Sequence, residues 1–248
     1  MGDEGDPKTA AALIVGNELL NGKVQDENLV VLARTLSHLG IRLRRVVMVP
    51  DDTDLISVEV RQLAQEHTVV FTSGGVGPTH DDVTIEGVAR AFGVAVVASP
   101  LMESMLRAHY RERCTEGHLR MALIPEGADL ATNAEVTWPT VVMRNVWVLP
   151  GIPEIFKMKL AVVREKLAGG TPFVSRAVYT KMDEGELKPL LDRIVAAHPA
   201  VEVGSYPKWA DPSYRTKLTF DGVDAAPVEQ AMQAFLALLP PGEPQRVE

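Results

Sequence analysis

The 248-residue chain is 46% hydrophobic and 23% charged, the balance of a folded protein rather than a disordered or fibrous one, with room for one large domain or a domain and a small companion. A formal net charge of −8 argues against a general nucleic-acid binder, which needs clustered Lys and Arg to neutralise phosphates. The lone Cys114 excludes a disulfide framework and a thiolate metal cage, and a reducing cytoplasm is the natural compartment.

The start "MGDEGDPKT" is acidic where a signal peptide is basic and then apolar. No stretch approaches the ~18 apolar residues of a membrane span, so no membrane association is expected. The first eight residues and the tail "PPGEPQRVE" are expected to be disordered ends.

Residues 10–15 form a short apolar run ending at Gly16, the pattern of a buried strand. Leu29, Leu32, Ala33, Leu36 and Leu39 then recur at helical spacing, and Gly40 stops the helix. A strand over residues 41–49 follows, then a helix marked by Ile56, Val60 and Leu63. The strand "HTVVFTS" leads into a helix through Ile85, Val88, Ala89 and Phe92, closed by Gly93. Strands alternating with helices predict an α/β fold with a parallel sheet and right-handed crossovers.

Between Pro100 and Pro139 the pattern loosens, with a helix through Met102, Met105, Leu106 and His109 and then an irregular excursion from the sheet. "VVMRNVWVLP" restores one strand over residues 141–150, and Phe156, Leu160, Val163 and Leu167 restore a helix. Gly169, Gly170, Thr171 and Pro172 make the best linker. It divides the chain into an α/β domain, residues 1–170, and a small α+β domain of βαββα order, residues 171–248.

In a parallel sheet the strand C-terminal ends share one edge, and ligands bind in the crevice outside it. The loops leaving the strands are Gly16-Asn17-Glu18, Pro50-Asp51-Asp52, residues 73–82 and Leu149-Pro150-Gly151-Ile152-Pro153. Gly74, Gly75 and Gly77 strip side chains from a strand-to-helix turn, which leaves amides free to face an oxyanion at the positive end of the helix. The spacing is neither the dinucleotide fingerprint, since His80 stands at the third glycine position, nor a Walker loop.

Asp82 has two readings, a helix N-cap or a metal ligand, and Asp51 and Asp52 likewise precede a helix that they can cap. Glu18 has no helix to cap until the one near Asp26, and with Asp51, Asp81 and Asp82 it supplies oxygen ligands for a hard divalent cation beside substrate phosphates. The Pro150-Gly151 turn is either common punctuation or a second helix N-terminus beside the site. His80, inside the glycine loop, is the one histidine placed to act as an acid or phosphate contact, and Cys114 is read as structural. Tyr206 to Trp209 and Tyr214 to Lys217 put aromatics beside cations, which stack a ring or simply face solvent on a hairpin.

Gly74, Gly75, Gly77, Asp82 and Thr84 spell GGxGxxxxDxT, and the chain so resembles the molybdenum-cofactor-biosynthesis, or molybdopterin-binding, superfamily. "VGNELLNGKVQDEN", "SGGVGPTHDDVT", "LIPEGA" and "VLPGIPEIF" are most similar to the competence/damage-inducible protein A family and to the N-terminal domain of FAD synthase. The resemblance implies a three-layer α/β domain whose sheet is parallel with a mixed edge. It implies a homodimer or homotrimer that binds a pterin or a nucleotide diphosphate at the glycine loop. It places the two aspartates essential in the molybdenum-insertion branch at Asp51 and Asp82.

In the competence branch the corresponding domain is similar to a divalent-metal-dependent pyrophosphatase acting on ADP-ribose, and in FAD synthase to one hydrolysing FAD. Val76 stands where the molybdenum branch has Thr, which weakens the molybdopterin reading. Because the chain ends at Glu248, nicotinamide-mononucleotide deamidation and FAD synthesis are not expected. The expected activity is hydrolysis of a nucleotide diphosphate with Mg²⁺, Mn²⁺ or Co²⁺. In it Gly74, Gly75, Gly77, Pro78, Thr79, His80 and Thr84, with Gly16, Asn17, Pro150 and Gly151, hold the ligand. Asp82 and Glu18 hold the metal, and Asp51 or Asp81 orients the water. The rival readings are a pterin-cofactor binding or transfer protein and a non-catalytic interaction module.

Overall fold

The computed structural model describes residues 8–248. Of the eight N-terminal residues expected to be disordered, 1–7 lie outside the described residues, and the Lys8 carbonyl accepts from the Arg42 amide at 2.8 Å. The chain divides into two compact units, Met1–Gly170 and Thr171–Glu248. No helix among the described residues is long and apolar enough to cross a membrane.

In the first unit the elements run β1 (Thr9–Val15), α1 (Asn17–Leu20), α2 (Asn28–His38), β2 (Arg42–Val49), α3 (Thr53–Glu66), β3 (Val69–Ser73) and α4 (Thr84–Phe92). They continue with β4 (Val96–Ala98), α5 (Pro100–Tyr110), α6 (Glu116–Arg120), β5 (Leu123–Pro125), β6 (Asp129–Ala131), β7 (Thr140–Met143), β8 (Val146–Leu149) and α7 (Pro153–Lys166). The main sheet has the order β2-β1-β3-β8-β7-β6. Its first four strands are parallel, and β7 and β6 form an antiparallel edge.

The alternation along β1 makes the sheet the middle of three layers. Ala11, Leu13 and Val15 face a core built with Ile56, Val60 and Leu63 of α3, Val88 of α4 and Met102 of α5. Ala10 and Ala12 face the opposite core, with Leu32 and Leu36 of α2 and Phe156, Leu160 and Val163 of α7. Helices on both faces explain why β1 reads as a continuous apolar run instead of an alternating one.

Residues 141–150 are not one strand. The run folds back at Arg144-Asn145 into the β7–β8 hairpin, with Met143 opposite Val146 and Arg144 at φ 54°. Sequence alone misses this turn because it holds no glycine or proline. Tertiary contacts supply what is lacking. The Asn145 amide donates to the carbonyls of Ala64 at 2.9 Å and His67 at 3.0 Å, and the Arg144 guanidinium covers the Phe92 ring. The excursion after β4 is also more regular than expected: β4 and β5 pair as a two-stranded sheet, and β6 returns to the main one.

The second unit holds β9 (Val174–Thr180), α8 (Glu184–Ala197), β10 (Glu202–Pro207), β11 (Thr216–Gly222), α9 (Ala225–Leu236) and β12 (Arg246–Val247). Its sheet order is β10-β11-β9-β12. The βαββα order is therefore present with one further strand, contributed by the tail. That tail is ordered: Val247 pairs with Val178, Tyr179 Oη donates to Glu248 at 2.7 Å, and the Arg246 guanidinium lies 3.8 Å from the Tyr179 ring centre.

Asn145→Ala leaves two backbone carbonyls at the end of α3 without their donor. The expected loss is about 1–3 kcal/mol of unfolding free energy, measured by urea denaturation. A change below about 0.5 kcal/mol, the range of ordinary surface substitutions, would show that the hairpin turn does not depend on that anchor.

Candidate active site

The C-terminal ends of β1, β2, β3 and β8 open onto one cavity of about 620 Å³, within the range of small-molecule sites. Gly16, Glu18, Asp51, Gly74, Gly75, Gly77, Pro78, Asp81, Asp82, Pro150 and Gly151 all line it. Four loops far apart in sequence are therefore brought together. Asn17, Thr79, His80 and Thr84 do not line it. The His80 side chain is 97% exposed.

The glycine loop is shaped by close approach. Gly74 adopts φ 104°, and a β-carbon on it would lie 2.1 Å from the Val15 carbonyl oxygen, a distance no side chain tolerates. Its N–H is donated to Leu149 O at 3.2 Å, so Gly74 is a structural member of the loop and its amide is already engaged within the protein. The amides of Gly75, Val76 and Gly77 have no protein acceptor among the described residues. Thr84 fixes the loop from below: it is fully buried, its hydroxyl donates to Gly74 O at 2.9 Å and its N–H to Gly75 O at 2.9 Å.

The carboxylates divide by task. Asp52 is the N-cap of α3, accepting from the amides of Asp54 and Leu55 at 2.9 Å each. Asp51 instead accepts from the Asn17 amide at 2.9 Å, which ties the β2 exit to the β1 exit. Asp82 does not cap α4, whose N-cap is Val83 with no side-chain bond. It folds back onto Thr79, accepting from its amide at 2.8 Å and its hydroxyl at 2.5 Å.

The Asp81 carboxyl is held below its ordinary value, chiefly by the polar Thr79 side chain beside it, then by its own amide and by His80. Glu18 lies in the first turn of α1, which begins directly after β1. The expectation that no helix starts before Asp26 is corrected, and Asp26 itself accepts from the Leu29 amide at 2.8 Å.

Among the described residues no group of three or more His, Cys, Asp or Glu converges to hold an ion unaided. Glu18, Asp51, Asp81 and Asp82 nonetheless face one cavity. Such a donor set fits a hard cation bound through one or two carboxylates together with ligand phosphates, and does not fit an all-protein cage.

Two further residues shape the site. Asn28, at the start of α2, is 3% exposed. Its amide donates to Ser73 Oγ at 3.0 Å and Gly151 O at 2.8 Å, joining the ends of β3 and β8. Asn28 closes the segment "VGNELLNGKVQDEN", but nothing in that segment shows which distant strands it joins. Lys159 is also 3% exposed; the residue lines the cavity, and its ammonium donates to Trp138 O and to Pro139 O at 2.8 Å. This residue had a visible signal: it is a lysine on the apolar face of α7 shared by Phe156, Leu160 and Val163. The wall beyond it is apolar, with Trp138, Met102, Met121, Leu123 and Ile155.

Burial lowers the Lys159 pKa from 10.5 to about 8. The unfolded chain therefore holds this proton more tightly than the folded one. The Lys159 contribution to unfolding free energy is flat below pH 8 and rises as the pH climbs from about 8 to 10.5. The stability difference between wild type and Lys159→Met, followed by urea denaturation across that window, is expected to grow in favour of wild type. A flat difference would mean that the lysine is not desolvated.

Comparison with known proteins agrees with this architecture. A solved structure of the CinA protein from Thermoplasma acidophilum superposes with a TM-score of 0.60 at 30% identity, covering 65% of this chain and 98% of that one. A protein from Archaeoglobus fulgidus is 32% identical over 225 residues, 91% of this chain and 95% of its own length. A "Probable FAD synthase" from Caenorhabditis elegans is 30% identical over 262 residues, 94% of this chain but 50% of that protein. The chain thus spans half the length of that relative. Residues 172–248 match the model for the FAD synthase middle domain. With residues 11–168 matching the family model described as "Probable molybdopterin binding domain", the chain belongs to the molybdopterin-binding domain family.

Proposed function

We propose that the first unit is a divalent-metal-dependent hydrolase of a nucleotide diphosphate of the ADP-ribose or FAD type. The observation that carries this reading is the composition of one cavity. Acceptor-free amides at Gly75 to Gly77, four carboxylates on three loops, and an apolar wall ending in Trp138 share it. A nucleotide diphosphate has the same division, with an anionic centre and a flat heterocycle at one end.

The Gly75, Val76 and Gly77 amides bind one phosphate at the start of α4, where the helix dipole favours negative charge. Trp138 packs against the heterocycle. Asp82 and Glu18 would hold Mg²⁺, Mn²⁺ or Co²⁺, which when bound supplies charge stabilisation at the diphosphate. Asp51 accepts the proton of the attacking water. It is the better placed base, because the Asn17 amide fixes one of its oxygens and leaves the other free, whereas the lowered pKa of Asp81 makes that group a weaker proton acceptor. Water adds to one phosphorus, the bridging P–O bond breaks, and the leaving phosphate carries away the bridging oxygen. From ADP-ribose the products are AMP and ribose 5-phosphate. No strong nucleophile faces the cavity among the described residues, so positioning and electrostatics supply the rate.

The purified chain with Mg²⁺, Mn²⁺ or Co²⁺ is expected to release AMP from ADP-ribose or FAD, and Asp82→Asn to lower kcat by about 10²–10³-fold without loss of thermal stability. Absence of AMP from both substrates with all three metals would overturn hydrolysis. A fluorescent pterin retained through gentle purification would then favour the cofactor-binding reading, to which the family match also points.

A further inference from the structure

The cavity presents an electrostatic problem that the proposed reaction leaves open. Glu18, Asp51, Asp81, Asp82 and Glu86 face it, while only Arg120 and Lys159 bring positive charge. Arg120 lies 3.7 Å from Glu86 and is partly neutralised by it. Lys159 has no carboxylate partner among the described residues. Its charge is buried against two neutral carbonyls, Trp138 O and Pro139 O, and an ammonium carries three N–H donors. The third has no protein acceptor among the described residues, although the side chain is 97% buried by area and borders the cavity. Burying a charge this way is unfavourable unless an opposite charge arrives.

We propose that Lys159 is a fixed anion contact of the cavity: the Trp138 and Pro139 carbonyls hold its ammonium in place, and the third N–H is donated to a nonbridging phosphate oxygen of the bound ligand. This rests on the nucleotide-diphosphate reading for the identity of the ligand, though not for the chemistry of the contact. The geometry has a second effect. The carbonyls that position the ammonium belong to the residue carrying the indole wall and to its neighbour, so one side chain sets the spacing between phosphate and heterocycle. The lysine is reached from the second turn of α7 because helical side chains lean toward the N-terminus, and here that direction is the open edge of the sheet.

Ligand binding should then draw a proton onto Lys159. The unliganded ammonium loses its proton near pH 8, and a phosphate oxygen beside it raises that value, so the complex takes up protons from about pH 8 upward. The charged groups that face Lys159 across the cavity are the acids Glu18, Asp51, Asp81, Asp82 and Glu86 and the cation Arg120.

The test is isothermal titration calorimetry on the full chain, with Mg²⁺ held constant, in buffers of different ionisation enthalpy. The probes are ADP-ribose, whose phosphates do not titrate near pH 8, and inorganic pyrophosphate, which has no ring. ADP-ribose binding is expected to take up a substantial fraction of one proton above pH 8. Lys159→Met is expected to weaken both ligands about 10- to 100-fold, the range for a hydrogen bond to a charged group.

Proton uptake is read on the wild type, so it stands even where the variant folds poorly. No uptake, or equal binding of both ligands by the variant, overturns the proposal. Weakening of ADP-ribose with pyrophosphate unchanged overturns it too, by moving the contact to the ring or sugar. The two readings separate cleanly. Lysine-dependent pyrophosphate binding with no AMP release sinks the hydrolase and keeps the contact; AMP release with no lysine effect does the reverse. If neither ligand binds the wild type, both fall.

Discussion

Gly74 passes so close to β1 that a β-carbon there would lie 2.1 Å from the Val15 carbonyl oxygen, and the rest of the site follows from that approach. β1 and β3 are neighbours with Ile14 beside Ser73, so the next residue of each strand is already at the crowded exit. The Gly74 N–H reaches sideways to Leu149 O, which brings in the exit of β8, and Gly151 passes close enough that its β-carbon would be 3.3 Å from the Gly74 α-carbon. Asn28 then bonds Ser73 and Gly151 together. With three strand ends locked at their backbones, the following amides, Gly75 to Gly77, are lifted above the sheet edge with no partner in the described chain. The free donors at the top result from saturated bonding beneath them.

Five carboxylates around a cavity proposed for a diphosphate look self-defeating. Two unit charges at 4 Å interact by about 4 kcal/mol at the effective dielectric of a protein surface, so an unscreened anion would be rejected. Three features offset this. The Gly75 to Gly77 amides, on the loop that leads into α4, have no acceptor of their own among the described residues. Several acids are already engaged: Asp82 accepts two hydrogen bonds from Thr79, Asp51 accepts one from Asn17, and Glu86 faces Arg120. The remainder of the imbalance is what a divalent cation and the Lys159 ammonium answer in the proposed mechanism. In that mechanism the site binds its anion only together with positive charge, so affinity depends on metal and on pH in the same complex.

Periodicity carried most of the fold. Leu32 and Leu36, or Ile56, Val60 and Leu63, declare their helices because burial of one face is what makes them helical at all, and the continuous apolar run of β1 declares a covered parallel strand. What could not be read are features decided by contacts distant in sequence. Arg144-Asn145 turns because Ala64 and His67 accept from it, and "EPQRVE" is ordered because β9 offers an open edge. In the site, adjacent acids were the hardest to assign. Asp51 and Asp52 look equivalent, yet successive side chains point in different directions, so one caps α3 and the other crosses to Asn17. Asp82 was open between cap and ligand, and its bonds to Thr79 leave the cap to Val83. Asn28 closes the segment "VGNELLNGKVQDEN", which does not show the distant strands it joins, whereas Lys159 could have been noticed as a charge on an apolar stripe.

A site assembled this way distributes its sensitivity to substitution unevenly. In the proposed mechanism the anion is held by backbone amides, which no side-chain replacement removes. Gly74 fails through the fold, since any β-carbon there must separate β1 from β3 before it alters a ligand contact. Loss of function at Gly74 is therefore inseparable from loss of structure and says little about chemistry. Side chains that touch the cavity while leaving the strand exits intact are the informative positions. Asp82 holds only its own loop, and Lys159 holds only the Trp138-Pro139 segment, so each changes the electrostatics of the cavity without dismantling its floor. In the proposed mechanism one bears on the metal and the other on the anion, so comparing them separates the two kinds of positive charge which that mechanism requires.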